Sequence, residues 1–155
     1  MLLNPSQKRK LGAFLDLKHD SATVEWFEKV GPDVMVPSPQ AEIAVDGEKH
    51  LINCFILMFK DADKKQIEQY RKELEDLGLR IGKYRKYTKT LAVIGPAGAI
   101  LEAIDKPFVR RAMVDFDGLI RRATEENVDN DPPPPNWRDN IKDIRSVLGD
   151  EGLGL

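Results

Sequence analysis

Residues 42–60 read EIAVDGEKHLINCFILMFK, and this stretch decides the class of fold. Two runs of strand character flank Asp46-Gly47, which is the strongest two-residue signal for a β-hairpin. The second run is nearly all apolar from Leu51 to Phe59, and such a run predicts a central strand. The stretch therefore predicts a sheet that is built around residues 51–59.

Helix and strand signals alternate from this strand to residue 117. Asp61 or Asp63 can cap the helix that follows this strand, and Gly78 ends that helix. The remaining segments are a strand at 79–87, a short strand at 88–95, a brief helix at 96–105 and a last strand at 108–117. This order predicts an α+β fold, a ferredoxin-like split βαβ sandwich in which two helices cover one face of an antiparallel sheet.

The flanking residues divide the chain into further segments. Ser6 is expected to cap a first helix, and Gly31-Pro32 ends a second one. A stripe of Trp137, Ile141, Ile144 and Leu148 predicts an amphipathic helix behind a run of four prolines. The predicted organisation is a helical arm at 1–36, a ferredoxin-like α+β domain at 37–122, an acidic Pro-rich linker at 123–136, and a C-terminal helix and tail at 137–155. The arm and the C-terminal helix are each expected to pack on the main domain or on a partner.

Composition sets limits on the compartment and the class of partner. Charged residues make up 32% of the chain and the net charge is −2, so there is no overall pull toward nucleic acid or a membrane. No apolar run approaches the roughly 20 residues that span a bilayer. The single cysteine, Cys54, excludes an internal disulfide framework, and its apolar surroundings favour a small buried side chain over a reactive thiol. A cytoplasmic protein is expected, and its oligomeric state stays open.

Catalytic patterns are weak in this sequence. One cysteine and two histidines without ligand-spaced neighbours argue against zinc, and the serines occupy positions that caps, turns and the last helix use. GPAG at 95–98 is typical of a strand-to-helix turn, and the same residues can also point amides at a phosphate. We therefore expect no enzyme, no metal and no cofactor.

Asp115 and Asp117 lie two residues apart on the last strand, so both side chains leave the same face. Two carboxylates there can share a divalent cation with further oxygen ligands. Because Val114 and Phe116 point the other way, under the helices, the aspartates are expected on the exposed face of the sheet. A solvated strand end is the favoured interpretation.

Basic residues crowd two strands. The candidates for contact with nucleic acid are Arg80, Lys83, Arg85, Lys86, Lys89, Arg110 and Arg111. Tyr84 and Tyr87 are interleaved with them, which is typical of surfaces that follow a nucleic-acid backbone and stack bases. The strand at 88–95 has no aromatic residue for stacking, and the acidic residues after position 124 can neutralise the basic face. A solvated, self-neutralised face is favoured.

Residues 52–118 resemble the subtilisin-propeptide family of peptidase inhibitors. The resemblance rests on ILMFKDAD (56–63), ELEDLG (73–78), KYRKY (83–87), the helix after Pro96 and VRRAMVDFDG (109–118). It implies a sheet that packs on a protease surface, with Gly118, Leu119 and Ile120 approaching the active-site cleft. Here the last strand is followed by the acidic linker and another helix, which the family pattern does not include.

The leading hypothesis is a non-enzymatic protein-interaction module, in its sharper form a propeptide-like protease inhibitor or a chaperone-like domain. Its partner-binding candidates are Asp115, Asp117, Gly118, Leu119, Ile120 and Trp137. The alternatives are a nucleic-acid-binding accessory protein that uses residues 80–89 and 110–122, and a small-ligand regulatory dimer.

Overall fold

The computed structural model describes residues 1–12 and 17–116. These residues form four α-helices: α1 (Pro5–Leu11), α2 (Leu17–Lys29), α3 (Lys64–Asp76) and α4 (Ala97–Ile104). They also form six β-strands: β1 (Met35–Val36), β2 (Glu42–Val45), β3 (Glu48–Phe59), β4 (Arg80–Ile81), β5 (Thr90–Pro96) and β6 (Val109–Phe116). Within the described ranges, no helix has both the length and the apolar character needed to cross a membrane.

The sheet is built around β3, as the sequence predicted. β6 pairs with β3 from Ile52 to Phe59, and β5 pairs with residues 55–58 of β3. β4 and β1 pair with β5, and β2 pairs with the first residues of β3. Every pairing is antiparallel, and the sheet curls. The prediction of a mixed α+β fold with an antiparallel sheet is confirmed.

Local turn and capping signals explain where these elements begin and end. Asp46 and Gly47 both have positive φ angles, 51° and 83°, as a tight two-residue hairpin between β2 and β3 requires. Asp63 caps α3 reciprocally with Gln66: the Gln66 amide donates to Oδ1 of Asp63 at 2.8 Å, and the Asp63 amide donates to Oε1 of Gln66 at 3.0 Å. Gly78, with φ 91°, follows the end of this helix.

Two expectations about local structure were wrong. Asn4, not Ser6, caps α1, because Asn4 and Gln7 form a capping box around Pro5 at the first helical position. The strand expected at 79–87 is regular only at Arg80–Ile81.

The interruption of that strand is a one-residue shift in register. Gly82 donates to the carbonyl of Ala92 in the β4 register, whereas Arg85 exchanges two backbone hydrogen bonds with Thr90. One extra residue therefore lies between Gly82 and Arg85, which is the arrangement of a β-bulge. The shift allows Tyr84 to stack on Phe59, with ring centroids 5.6 Å apart, while Arg85 faces the other side of the sheet.

The main core lies between the helices and one face of the sheet, which we call the helix face. Phe55, Leu57 and Phe59 of β3 are fully buried there. All four helices contribute to this core, and the contributing side chains include Leu11, Phe27, Ile67, Leu74, Leu101 and Ile104. Burial of this apolar surface is the main stabilising term of the fold.

The first two helices are tied to the rest of the molecule. The Met1 ammonium donates to the carbonyls of Phe27 and Glu28 at 3.0 and 3.1 Å. Lys10 Nζ donates to the carbonyls of Ile104 and Lys106, both at 2.9 Å, and burial lowers the pKa of Lys10. The Met1 contacts stay within residues 1–36, whereas the Lys10 contacts join these residues to α4 and its following turn. The domain boundary at residue 36 stays a prediction.

Candidate functional site

The sheet has a second face, opposite the four helices. Directly paired residues of neighbouring strands point to the same side of a sheet, so the register assigns this face. Its members are Met35, Cys54, Ile56, Met58, Arg80, Arg85, Thr90, Ala92, Ile94, Pro96, Arg111, Met113 and Asp115. A sheet face that points to water usually carries polar side chains, whereas the middle of this face is apolar.

The two halves of the second face differ in exposure. Along β3 and β6, Ile56, Met58 and Met113 are only 4%, 2% and 5% exposed. Along β4 and β5, Ala92 and Ile94 are half-buried and Arg80 is exposed. The β3–β6 half is therefore covered, and the β4–β5 half is partly open.

Asp115 lies in the covered half. The prediction that it points away from the helices is confirmed by its pairing with Cys54, but the prediction that it is exposed is wrong, because its exposure is 0%. The Cys54 thiol donates to Oδ2 of Asp115 at 3.6 Å. Cys54 itself is 1% exposed, as its apolar surroundings predicted. Asp115 as a contact for a partner stays a prediction.

A shallow groove opens in the β4–β5 half. It encloses about 280 Å³ and is lined by Pro37, Asn53, Cys54, Arg80, Ile81, Gly82, Ala92 and Ile94. Ala92 and Ile94 supply apolar side chains to its floor, Asn53 adds a polar one, and Arg80 stands exposed at its edge. Gly82 keeps the groove open beside Ala92, since a Cβ on Gly82 would lie in contact at 3.7 Å from the Ala92 Cβ.

The predicted basic cluster divides into three groups. Arg80, Arg85 and Arg111 lie on the second face. Lys83 and Lys86 are exposed in the segment that connects β4 to β5.

Lys89 and Arg110 belong to the third group, at the end of the sheet near Asp61. Lys89 forms an ion pair with Asp61, whose pKa is lowered first by the hydrogen bond from Lys89 and then by its charge. Arg110 lowers that pKa further. Burial, followed by the charge of Asp61, raises the pKa of Tyr84 to about 12. Contact of these basic residues with nucleic acid stays a prediction.

GPAG at 95–98 connects β5 to α4, and its amides bind backbone carbonyls of residues 32–34. The Ala97 amide donates to the Val34 carbonyl at 2.8 Å, and the Gly98 amide donates to the Pro32 carbonyl at 2.9 Å. A Cβ on Gly98 would lie only 2.9 Å from the Pro32 Cβ, so glycine permits this close approach. The amides that a phosphate would need are already occupied at the start of α4.

The remaining candidates are metal-binding side chains and the partner-binding residues that follow Phe116. Within residues 1–12 and 17–116, no group of three or more His, Cys, Asp or Glu side chains is arranged to hold a metal ion. Asp117, Gly118, Leu119, Ile120 and Trp137 lie outside the described residues, so their role in partner binding stays a prediction. The chain reaches them from Phe116, whose ring lies between the rings of His19 and His50 at 5.2 and 5.5 Å.

Sequence reasoning missed the apolar second face. The signal was present in Cys54–Phe59, where apolar side chains do not alternate with polar ones and therefore occupy both sides of β3. Met113 next to Val114 on β6 carries the same signal.

Comparison of the chain with protein-family models, with curated proteins and with solved structures gives no match.

Proposed function

We propose that this chain is a non-enzymatic protein-interaction module that binds a peptide segment of a protein partner in the groove of the second face. The single observation that carries the proposal is the apolar floor formed by Ala92 and Ile94 on a sheet face without a described helix. Half-buried apolar side chains at the floor of a groove can seat an anchor side chain of a partner. The partner segment presents an apolar anchor side chain beside a carboxylate.

The size of the groove favours a protein partner over a small ligand. Small-molecule sites usually enclose about 300–1,000 Å³ and bury most of the ligand. The groove, at about 280 Å³, is at the lower limit of this range and is open to solvent. One bulky side chain of a partner fills such a space, and a few anchors of this kind carry most of the energy of a protein interface.

Arg80 is proposed to bind the carboxylate of the partner segment. It is exposed at the edge of the groove, and its guanidinium can bind a carboxylate through two parallel hydrogen bonds. Arg85, on the same face, adds positive charge. An acidic residue next to the apolar anchor therefore fixes the position of the partner segment in the groove and makes its binding specific.

Nucleic acid is the alternative ligand for these arginines. Sequence-tolerant binding of single strands depends on aromatic side chains on which bases stack. Among the described residues of the second face there is no aromatic side chain, since Phe55, Phe59 and Tyr84 contribute to the core on the helix face. The observations therefore favour a protein partner, and nucleic acid is an outcome of the test below.

The finer fold assignment belongs to the same proposal. A ferredoxin-like split βαβ arrangement is supported by the neighbour order β6, β3, β5, β4 and by the positions of α3 and α4 in the chain, which connect β3 to β4 and β5 to β6. The propeptide-like inhibitor stays a narrower prediction, because the residues expected in a protease cleft follow Phe116.

The test compares Arg80→Glu with Lys72→Glu, a matched charge reversal at an exposed position of α3. Each full chain is used as bait in cells at equal abundance, and candidate partners are then purified and titrated by calorimetry. We expect a protein that binds the wild-type chain with a Kd below roughly 10 µM and loses about tenfold or more in affinity with Arg80→Glu, while Lys72→Glu binds as wild type.

Two results would overturn the proposal. One is a set of purified candidates whose affinities are unchanged by Arg80→Glu. The other is retention that disappears after nuclease treatment and weakens steeply with salt, since that behaviour identifies nucleic acid as the ligand.

A further inference from the structure

The covered half of the second face requires an explanation. Ile56, Met58 and Met113 are at most 5% exposed. The buried apolar side chains of all four described helices belong to the core on the opposite face, so they do not account for this burial. Burial of apolar side chains is the main stabilising term of a fold, so the cover matters for stability.

We propose that residues 117–155 cover the β3–β6 half of the second face, with the amphipathic segment 137–148 lying across Ile56, Met58 and Met113. The groove in the β4–β5 half stays open beside it. The inference does not depend on the proposed function, because it concerns the other half of the face and the free chain.

The apolar pattern of the segment matches this surface. Trp137, Ile141, Ile144 and Leu148 recur at helical spacing and form one stripe. A helix of this length is marginal in water by itself and needs an apolar surface to pack on. A 12-residue helix is about 18 Å long, comparable with the roughly 14 Å across four neighbouring strands.

The linker is long enough to return the segment to the sheet. Phe116 is at the end of β6, beside β3 and α2. Residues 117–136 then span at most about 60 Å if extended at roughly 3.1 Å per residue. That distance exceeds the length of β3, which has 12 residues and is about 40 Å long, so the linker can return to the middle of the sheet.

Charge favours the return of the acidic linker to this face. Residues 117–155 contain nine acidic and five basic side chains, a net charge of −4, whereas residues 1–116 carry +2 of the chain's total of −2. Glu125, Glu126, Asp129 and Asp131 concentrate the negative charge in the linker. Arg111 and Arg85 lie on the second face, where they attract the acidic linker, whereas residues 137–148 themselves carry a net charge of +1.

Methionine oxidation tests the proposal in the full chain. Met35 is 50% exposed and serves as an internal reference, whereas Met58 and Met113 are nearly buried. Dilute hydrogen peroxide is added, and sulfoxide formation at each methionine is followed by peptide mass spectrometry. We expect Met58 and Met113 to oxidise at least about tenfold more slowly than Met35.

The matched variants are Ile141→Asp with Ile144→Asp on the apolar stripe, and Ser146→Asp on the opposite side of the predicted helix. The double variant is expected to raise the rates at Met58 and Met113 toward that of Met35, and Ser146→Asp to leave them unchanged. A synthetic peptide of residues 124–150 should restore protection to the double variant, whereas the same peptide with both substitutions should not.

Three outcomes would overturn the proposal: rapid oxidation of Met58 and Met113 in the wild-type chain, unchanged rates in a folded double variant, or protection that depends on protein concentration over roughly 1–100 µM, which indicates a second copy as the cover. If the double variant unfolds, photo-crosslinking from benzoylphenylalanine in place of Ile144 is used to locate the segment instead. A photoproduct within one chain that joins residues 137–148 to β3 or β6 supports the proposal, and a product elsewhere contradicts it.

Discussion

Replacing Phe27 with alanine tests whether the first two helices and the sheet share one core. The Phe27 side chain is 0% exposed. Its ring centroid lies 5.1 Å from that of Phe55 in β3 and 5.0 Å from that of Trp26. A truncation there removes contacts with the central strand itself. The result bears on function, since a firmly packed α2 leaves the second face as the available surface for a partner.

The expected magnitude follows from these contacts. Phenylalanine-to-alanine changes in a core cost about 3–5 kcal/mol, and the two aromatic neighbours favour the upper half of that range. We therefore expect a loss of about 4 kcal/mol in the free energy of unfolding. At roughly 2–4 °C for each kcal/mol in a chain of this size, the melting temperature should fall by about 8–16 °C.

Urea unfolding followed by circular dichroism measures this loss. Glu28→Ala changes the exposed neighbour on the same helix and should remain within about 0.5 kcal/mol of wild type. The reasoning would be refuted by a loss below about 1 kcal/mol for Phe27→Ala, or by an early transition that leaves the sheet intact. Either result would make residues 1–36 a separately folding unit.

Three further predictions concern α3, Tyr84 and the family resemblance. Asp63→Ala should remove the reciprocal cap of α3 and cost about 1 kcal/mol in urea unfolding, whereas Lys65→Ala at an exposed position of the same helix should cost less than about 0.5 kcal/mol. Because the pKa of Tyr84 is raised to about 12 by burial, its contribution to stability is complete below about pH 10 and is lost as the pH rises toward 12. The ultraviolet titration difference between wild type and Tyr84→Phe should be centred near pH 12, and a midpoint near 10 would contradict the burial argument. The resemblance to propeptide inhibitors predicts inhibition of at least one subtilisin-like protease at micromolar concentration in a peptide-hydrolysis assay. A panel without inhibition, together with cleavage after Asp117, would remove that function.

The hairpin and the central strand of the sheet could be predicted from short sequence signals. Asp46-Gly47 specifies a tight turn through its own backbone preferences, so the hairpin and the central strand followed from sequence. The sequence limited the cap of α3 to Asp61 or Asp63, because aspartate is a favoured residue at the start of a helix. The cap of α1 was missed because Ser6 and Asn4 are both good caps, and only the reciprocal partner Gln7 distinguishes them.

Burial on the second face was not predictable from one strand. Alternation correctly placed Asp115 opposite Val114, because the side-chain period of a strand is fixed. Whether that side is exposed depends on what covers it, and a pattern within β6 does not contain that information. The bulge before Arg85 is a similar case, because its position depends on the packing of Tyr84 against Phe59.

The most direct test of the covered face uses a spin label at position 146 and the methyl NMR signals of the methionines. Ser146→Cys is made in a Cys54→Ser background, so the label is attached on the side of the predicted helix away from the sheet. If residues 137–148 lie on the second face, the label is about 15 Å from Met58 and Met113. The account predicts that both methyl signals broaden strongly while that of Met1, on the helix side, is retained. Unchanged Met58 and Met113 signals would contradict it.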